Sequence, residues 1–145
     1  MSLISRLLYV AIIVLLGSYT GQAQTKQSYP RFLYNGKNYN ELITNRVPEY
    51  GIAARDGCVV MGEIQLELRD IDAEKIEGWV KDAATGDTLV GASIKIQRRN
   101  KHMETLATDS LGRFLMSKSP SVTELHVLYL GFRELNIRGL SGKLF

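Results

Sequence analysis

Glu77-Gly78-Trp79-Val80-Lys81-Asp82 runs directly into Ala83-Ala84-Thr85-Gly86-Asp87 and then Thr88-Leu89-Val90-Gly91-Ala92-Ser93-Ile94-Lys95-Ile96. The first piece alternates: Ile76, Gly78 and Val80 fall on one side, Glu77, Trp79 and Lys81 on the other. That period of two is the mark of a half-buried strand. The second piece is turn chemistry, with Gly86 free to take positive φ. In the third, Leu89 points inward, and Ala92, Ile94 and Ile96 then alternate with Ser93, Lys95 and Gln97. Strand, turn and strand within twenty residues make this an all-β protein.

The same grammar continues outward. His102 to Thr108 is expected to return as a strand. Asp109-Ser110-Leu111-Gly112 reads as a tight turn, and Arg113 to Lys118 is expected to pair back across it, with Phe114 and Met116 inward. Glu124 to Leu130 places Leu125, Val127 and Tyr129 on one face, and Arg133 to Ile137 places Leu135 and Ile137 on one face. Short strands with regular turn signals predict a β-sandwich. On the N-terminal side, residues 59–68 predict a strand with Ile64, Leu66 and Leu68 against Glu63, Gln65 and Glu67. Before it, Asn35-Gly36 signals a turn, Asn40 to Asn45 suits one helical turn, and Pro48 and Gly51 interrupt regular structure.

The ends read differently. Arg6, the apolar run Leu7–Leu16 and the small residues up to Ala23 have the layout of a secretory signal peptide, which predicts cleavage before Gln24 and an exported protein. The run is half of the about 20 residues a bilayer span requires, so no membrane span is expected after cleavage. Cys58 is the single cysteine and has no disulfide partner; within Cys58-Val59-Val60-Met61 it reads as a buried thiol. The expected layout is a signal peptide (1–23), an N-terminal extension (24–73) with its strand at 59–68, a sandwich (74–138) and a C-terminal tail (139–145).

Lys and Arg number 18 against 15 Asp and Glu, interspersed along the chain. Arg98-Arg99-Asn100-Lys101-His102 is the one basic cluster and reads as a solvated hairpin tip. Nucleic-acid binding would want a broader basic face with aromatics among the charges, so none is expected. His102 and His126 have no ligand-spaced partners, so no zinc site is expected. Asp82, Asp87 and Asp109 sit on separate turns rather than in one calcium loop. No nucleophile elbow or phosphate loop is present. Neither catalysis nor a cofactor is expected.

The ordered motifs Gly78, Val80, Asp82, Thr85, Gly86, Leu89, Gly91 and Ala92, then Thr108, Asp109, Gly112 and Phe114, then Leu125, Val127, Gly131 and Phe132 resemble the carboxypeptidase regulatory-like domain, a small transthyretin-like β-sandwich of cell-envelope proteins. The likeness covers less than half of the chain. It implies seven strands and a binding or spacing role in the periplasm, at the outer membrane or outside the cell. Gly78, Asp82, Gly86, Gly91, Asp109, Gly112, Phe114 and Gly131 would be turn and core positions. Such domains often precede TonB-dependent transporters or accompany peptidases, but the residues after Arg138 hold no barrel or peptidase, so those activities are not carried over. A detached N-terminal domain of such a transporter is one alternative. Another is a carbohydrate-binding sandwich, motivated by Tyr29, Phe32, Tyr34 and Tyr39. The leading expectation is a non-catalytic module that contacts a cell-envelope protein. Trp79 is its candidate anchor, although a core position on the other face of the sheet would suit Trp79 equally.

Overall fold

The structure, a computed structural model, describes residues 29–45 and 62–145. The expected signal peptide (1–23), the polar tail after it, Pro48, Gly51, Cys58 and the first residues of the 59–68 strand lie outside the described residues. The described chain holds ten strands and one 3-10 turn, with no α-helix, in two sheets.

The first sheet is built on β3 (Gly62–Asp70) and β4 (Lys75–Asp82), an antiparallel hairpin in which Leu66 faces Val80 and Glu67 faces Trp79. β7 (Arg113–Ser117) pairs with the other side of β4. β1 (Phe32–Tyr34) pairs with the other side of β3 in parallel, and β2 (Lys37–Asn38) folds back on β1. The second sheet runs β10 (Leu135–Arg138), β8 (Val122–Leu128), β5 (Ser93–Arg98), β6 (Met103–Ala107). β9 (Phe132–Arg133) pairs in parallel with the start of β3.

The alternation read from the sequence sets the inner faces. Ile64, Leu66, Leu68, Ile76 and Val80 from the first sheet are fully buried against Ile94, Ile96, Leu125, Val127, Leu135 and Ile137 from the second. Leu89 and Ala92 close one end of this core.

Three expectations are corrected. Arg113–Lys118 does not pair back on β6; it crosses to the first sheet and pairs with β4. Contacts on both sides of the turn enforce the crossing. The buried Thr108 hydroxyl donates to Leu89 O (2.6 Å) and accepts from Ala92 N (2.8 Å), which fixes the end of β6 to the second sheet. Beyond the turn, Val80 N donates to Gly112 O (2.9 Å) and captures the chain for the first sheet. Second, the 133–137 strand is divided: Arg133 belongs to β9 beside β3, whereas Leu135 begins β10 beside β8. Third, Phe32 and Tyr34 belong to the core, at 0% and 7% exposure.

Residues on both flanks of the expected 74–138 unit share this core. The 73/74 boundary falls in the β3–β4 turn, and β3 is the strand that β1, β4 and β9 all pair with. Leu140, within the expected tail, is fully buried, and Phe145 packs edge-on against Tyr34 with ring centroids 5.9 Å apart. Ile43 bridges to Ile137, so residues 43–45 lie along the outer edge of β10.

Candidate functional site

β4 sends Ile76 and Val80 into the core, so Trp79 must point out of the sandwich, and it does: it is half-buried on the outer face of the first sheet. Its cross-strand neighbours are Glu67 on β3 and Arg113 on β7. The Arg69 guanidinium lies 5.2 Å from the Trp79 ring centroid, a cation–π position. Glu67 Oε1 accepts from Arg69 Nε (3.0 Å) and Nη2 (2.7 Å), and Oε2 accepts from Lys81 Nζ (3.1 Å). Burial pushes the Glu67 carboxyl up, but the hydrogen bonds and charges of Arg69 and Lys81 outweigh it and hold Glu67 below its ordinary range. Arg113 donates to Glu77 (3.2 Å) and to Asp109 (3.3 Å). Leu115 stands beside this network, 60% exposed. The result is one aromatic ring in a frame of fixed, paired charges, with an exposed leucine next to it.

The other motif residues act on the scaffold. Gly78 lies under the Phe114 ring: a Cβ there would come within 2.3 Å of Phe114 Cζ and 2.9 Å of Leu68 Cδ2. Gly112 has φ +70°, and a Cβ there would also meet the Thr88 Cβ at 2.7 Å, so both conformation and space demand glycine. Gly86, Gly91 and Gly131 are turn residues. Asp82 Oδ1 accepts from Ala84 N (2.8 Å). Asp109 Oδ1 accepts from Arg113 N and Leu111 N (both 2.9 Å), and those amides hold its carboxyl low. Among the described residues, no group of three His, Cys, Asp or Glu side chains is placed to hold a metal ion.

The sequence did not reveal two polar clusters. Asp70 Oδ1 accepts from the Tyr34 hydroxyl (2.6 Å), and Oδ2 accepts from Lys118 Nζ (2.9 Å) and Asn35 Nδ2 (3.2 Å), which ties β1, β3 and β7 together at one end of the sheet. Burial and the bond to Asp70 raise the Tyr34 phenol, and the bonds to Asp70 and Tyr34 raise Lys118. On the second sheet, His126 Nε2 lies 3.1 Å from Glu124 Oε2 and Nδ1 lies 3.4 Å from Glu134 Oε1, so a carboxylate faces each ring nitrogen. Near it, Ser93, Leu128, Tyr129, Leu130, Phe132 and Glu134 line an open depression of about 420 Å³. Leu130 there is 96% exposed, and the Tyr129 and Phe132 rings meet edge-on at 5.4 Å. The sequence signal for this place was the Tyr129–Phe132 stretch.

The four aromatics that suggested a sugar platform do not form one. Phe32 and Tyr34 are buried, Tyr39 packs partly against the core, and Tyr29 alone is widely exposed at 55%.

No family model matches the sequence, and no curated protein does. Among solved structures, the chain is similar to native alpha-2-macroglobulin from Escherichia coli, in a crystal structure spanning domains NIE-MG1, with 9% identity over 53% of this chain and a TM-score of 0.46. The chain spans 36% of the length of that structure.

Proposed function

We propose that this chain is a non-catalytic, exported binding module of the cell envelope, a carboxypeptidase regulatory-like, transthyretin-like sandwich that holds a protein partner on the outer face of its first sheet. The observation that carries this reading is the position of Trp79. A tryptophan half-covered by Arg69 in the middle of a charged outer face adds nothing to the core between the sheets. Tryptophan and arginine are the side chains that most often anchor interfaces, and the exposed Leu115 extends the apolar contact. The paired carboxylates and guanidinium groups around the ring would supply the polar rim.

The test is capture of a crosslinked partner from the protein's own cell envelope, run in parallel with Trp79→Ala and Leu115→Ser. The expected result is one stoichiometric envelope protein held by the native chain and lost by both variants, with Leu115→Ser within about 0.5 kcal/mol of the parent in stability, as for a surface substitution, and Trp79→Ala, which takes a half-buried ring from under Arg69, folded but less stable by about 1 kcal/mol. Retention of the partner by both variants refutes the assignment of this face.

The depression beside Tyr129 favours a second reading, carbohydrate binding, since it joins an aromatic ring to Ser93 and Glu134. Trp79 lies on the other sheet, so its fluorescence is a poor reporter. A rise in thermal midpoint with an envelope glycan, abolished by Tyr129→Ala, would support this reading; no rise with any glycan refutes it.

A further inference from the structure

Edge strands invite pairing unless a charge, a short length or a covering segment protects them. Two of the edges in this sandwich are protected. Thr44 N donates to Asn136 O, and Asn136 N donates to Asn45 Oδ1 (both 2.9 Å), so residues 44–45 cover β10. β2 is two residues long and carries Lys37, whereas β7, whose Arg113 is held by Glu77 and Asp109, is open as β6 is. β6, Met103-Glu104-Thr105-Leu106-Ala107, has no such device. No described residue pairs with its outer side, and its one charge, Glu104, is held by Arg98 at 3.1 Å.

The phase of the β5–β6 ladder shows which groups are free. Arg98 N donates to His102 O (3.0 Å), and Thr108 N donates to Ala92 O (2.9 Å). Antiparallel pairs alternate between bonded and non-bonded, so Glu104 and Leu106 spend their amides on β5. Met103, Thr105 and Ala107 turn theirs outward, and the side chains of these residues are exposed and uncharged.

We infer that β6 is a self-pairing edge, and that its partner is the β6 of a second copy of this chain, antiparallel about Thr105. In that register Thr105 faces Thr105 and Met103 faces Ala107, which matches every outward N–H with an outward C=O and joins the two second sheets into one. The charges agree with this direction. One end of β6 is the basic tip with Arg99 and Lys101, Arg98 there being paired with Glu104; the other is the turn with Asp109, which Arg113 bridges at 3.3 Å, beside the turn that carries Asp87 and Thr88. Antiparallel pairing sets Lys101 opposite the second copy's Asp109, whereas parallel pairing would set like charges together. The inference is independent of the reading of Trp79, which lies on the first sheet.

The test is the mass in solution, by light scattering over a concentration series, of protein expressed from the whole 145-residue sequence. The native chain should move from monomer to dimer as concentration rises to the sub-millimolar range. Thr105→Lys, which sets two cations face to face on the two-fold axis, should stay monomeric, as should Thr105→Pro, which removes an amide that β5 does not use. Trp79→Ala should dimerise like the native chain. Thr105→Lys is a solvent-facing change, so it keeps the test valid if the proline variant fails to fold. A native chain that stays monomeric, or a Thr105→Lys variant that still dimerises, overturns the inference.

Discussion

Gly78 occupies the middle of β4, where most residues would gain strand stability from a side chain. Gly78→Ala should instead destabilise the protein, because the new methyl would lie 2.3 Å from Phe114 Cζ and 2.4 Å from Cε1. Carbon atoms settle at about 3.5 Å or more, so the Phe114 ring must retreat by about 1 Å. Phe114 is 5% exposed, which leaves it little room. Overpacking of this kind costs about 1–3 kcal/mol. Replacing a strand glycine returns about 0.5–1 kcal/mol of backbone entropy. Taken at the middle of each range, the net loss is about 1 kcal/mol, and a urea slope of about 2 kcal/mol per M turns it into a midpoint drop of about 0.5 M. Combining the change with Phe114→Leu removes the atoms the methyl strikes, so the double variant should cost at least about 0.5 kcal/mol less than the sum of the singles. An unchanged or raised midpoint for Gly78→Ala, or strict additivity in the cycle, refutes the argument that this glycine exists to seat the ring.

Glu67→Gln should lower stability at neutral pH by about 1 kcal/mol, since Arg69 and Lys81 lose their common anion and both are partly solvated. The folded-state pKa of Glu67 lies below the unfolded one, so its contribution is complete above about pH 4.3 and disappears as pH falls through the folded value; urea midpoints of parent and variant should converge in acid. Tyr34 should ionise above the ordinary tyrosine range of about 10, and Asp70→Asn should bring it down, as followed by phenolate absorbance against a Tyr34→Phe blank. Leu140→Ala should cost about 2–5 kcal/mol by urea unfolding, because Leu140 is fully buried; a cost near zero would return residues 139–145 to the status of a tail.

The two-sheet, all-β architecture was legible because most core strands repeat their pattern at least twice: Ile64-Leu66-Leu68, Ile94-Ile96 and Leu125-Val127 each mark one buried face. The same alternation placed Trp79 opposite Val80 but left open whether that face was a contact surface or a second core face; the complete burial of Val80 and Ile76 on the inner face decides it. β1 was not legible. Three residues are too few to establish a period, and the burial of Phe32 and Tyr34 depends on β3, paired in parallel across a long connection. The Asp109–Gly112 turn misled because Asp-Ser-Leu-Gly serves a hairpin or a sheet change equally well; Thr108 and the Gly78–Phe114 contact decide between them. Alternation placed Glu67 on the face opposite Ile64, Leu66 and Leu68 but said nothing of its ion pairs. Its partners sit at i+2 on its own strand and on the neighbouring β4, and only the register brings Lys81 to its far oxygen.

The strip along β10 also sets the order in which the structure closes and reopens. The bonds from Thr44 and Asn45 to Asn136 join residues about 90 positions apart in the chain. Contacts at such separation reward their loop closure late in folding, and Thr44 and Asn45, beyond the buried Ile43, form an end that opens at lower cost than the central strands. The amides of Thr44 and Asn136 should therefore exchange with solvent well ahead of those of Leu66 and Val80. While the strip is away, Leu135 and Ile137 border a bare strand with unpaired carbonyls, so a nascent or heated molecule carries a second sticky flank that the finished one conceals. The strip thus works as an in-built guard against aggregation, and shortening it should lower the concentration at which refolding protein precipitates.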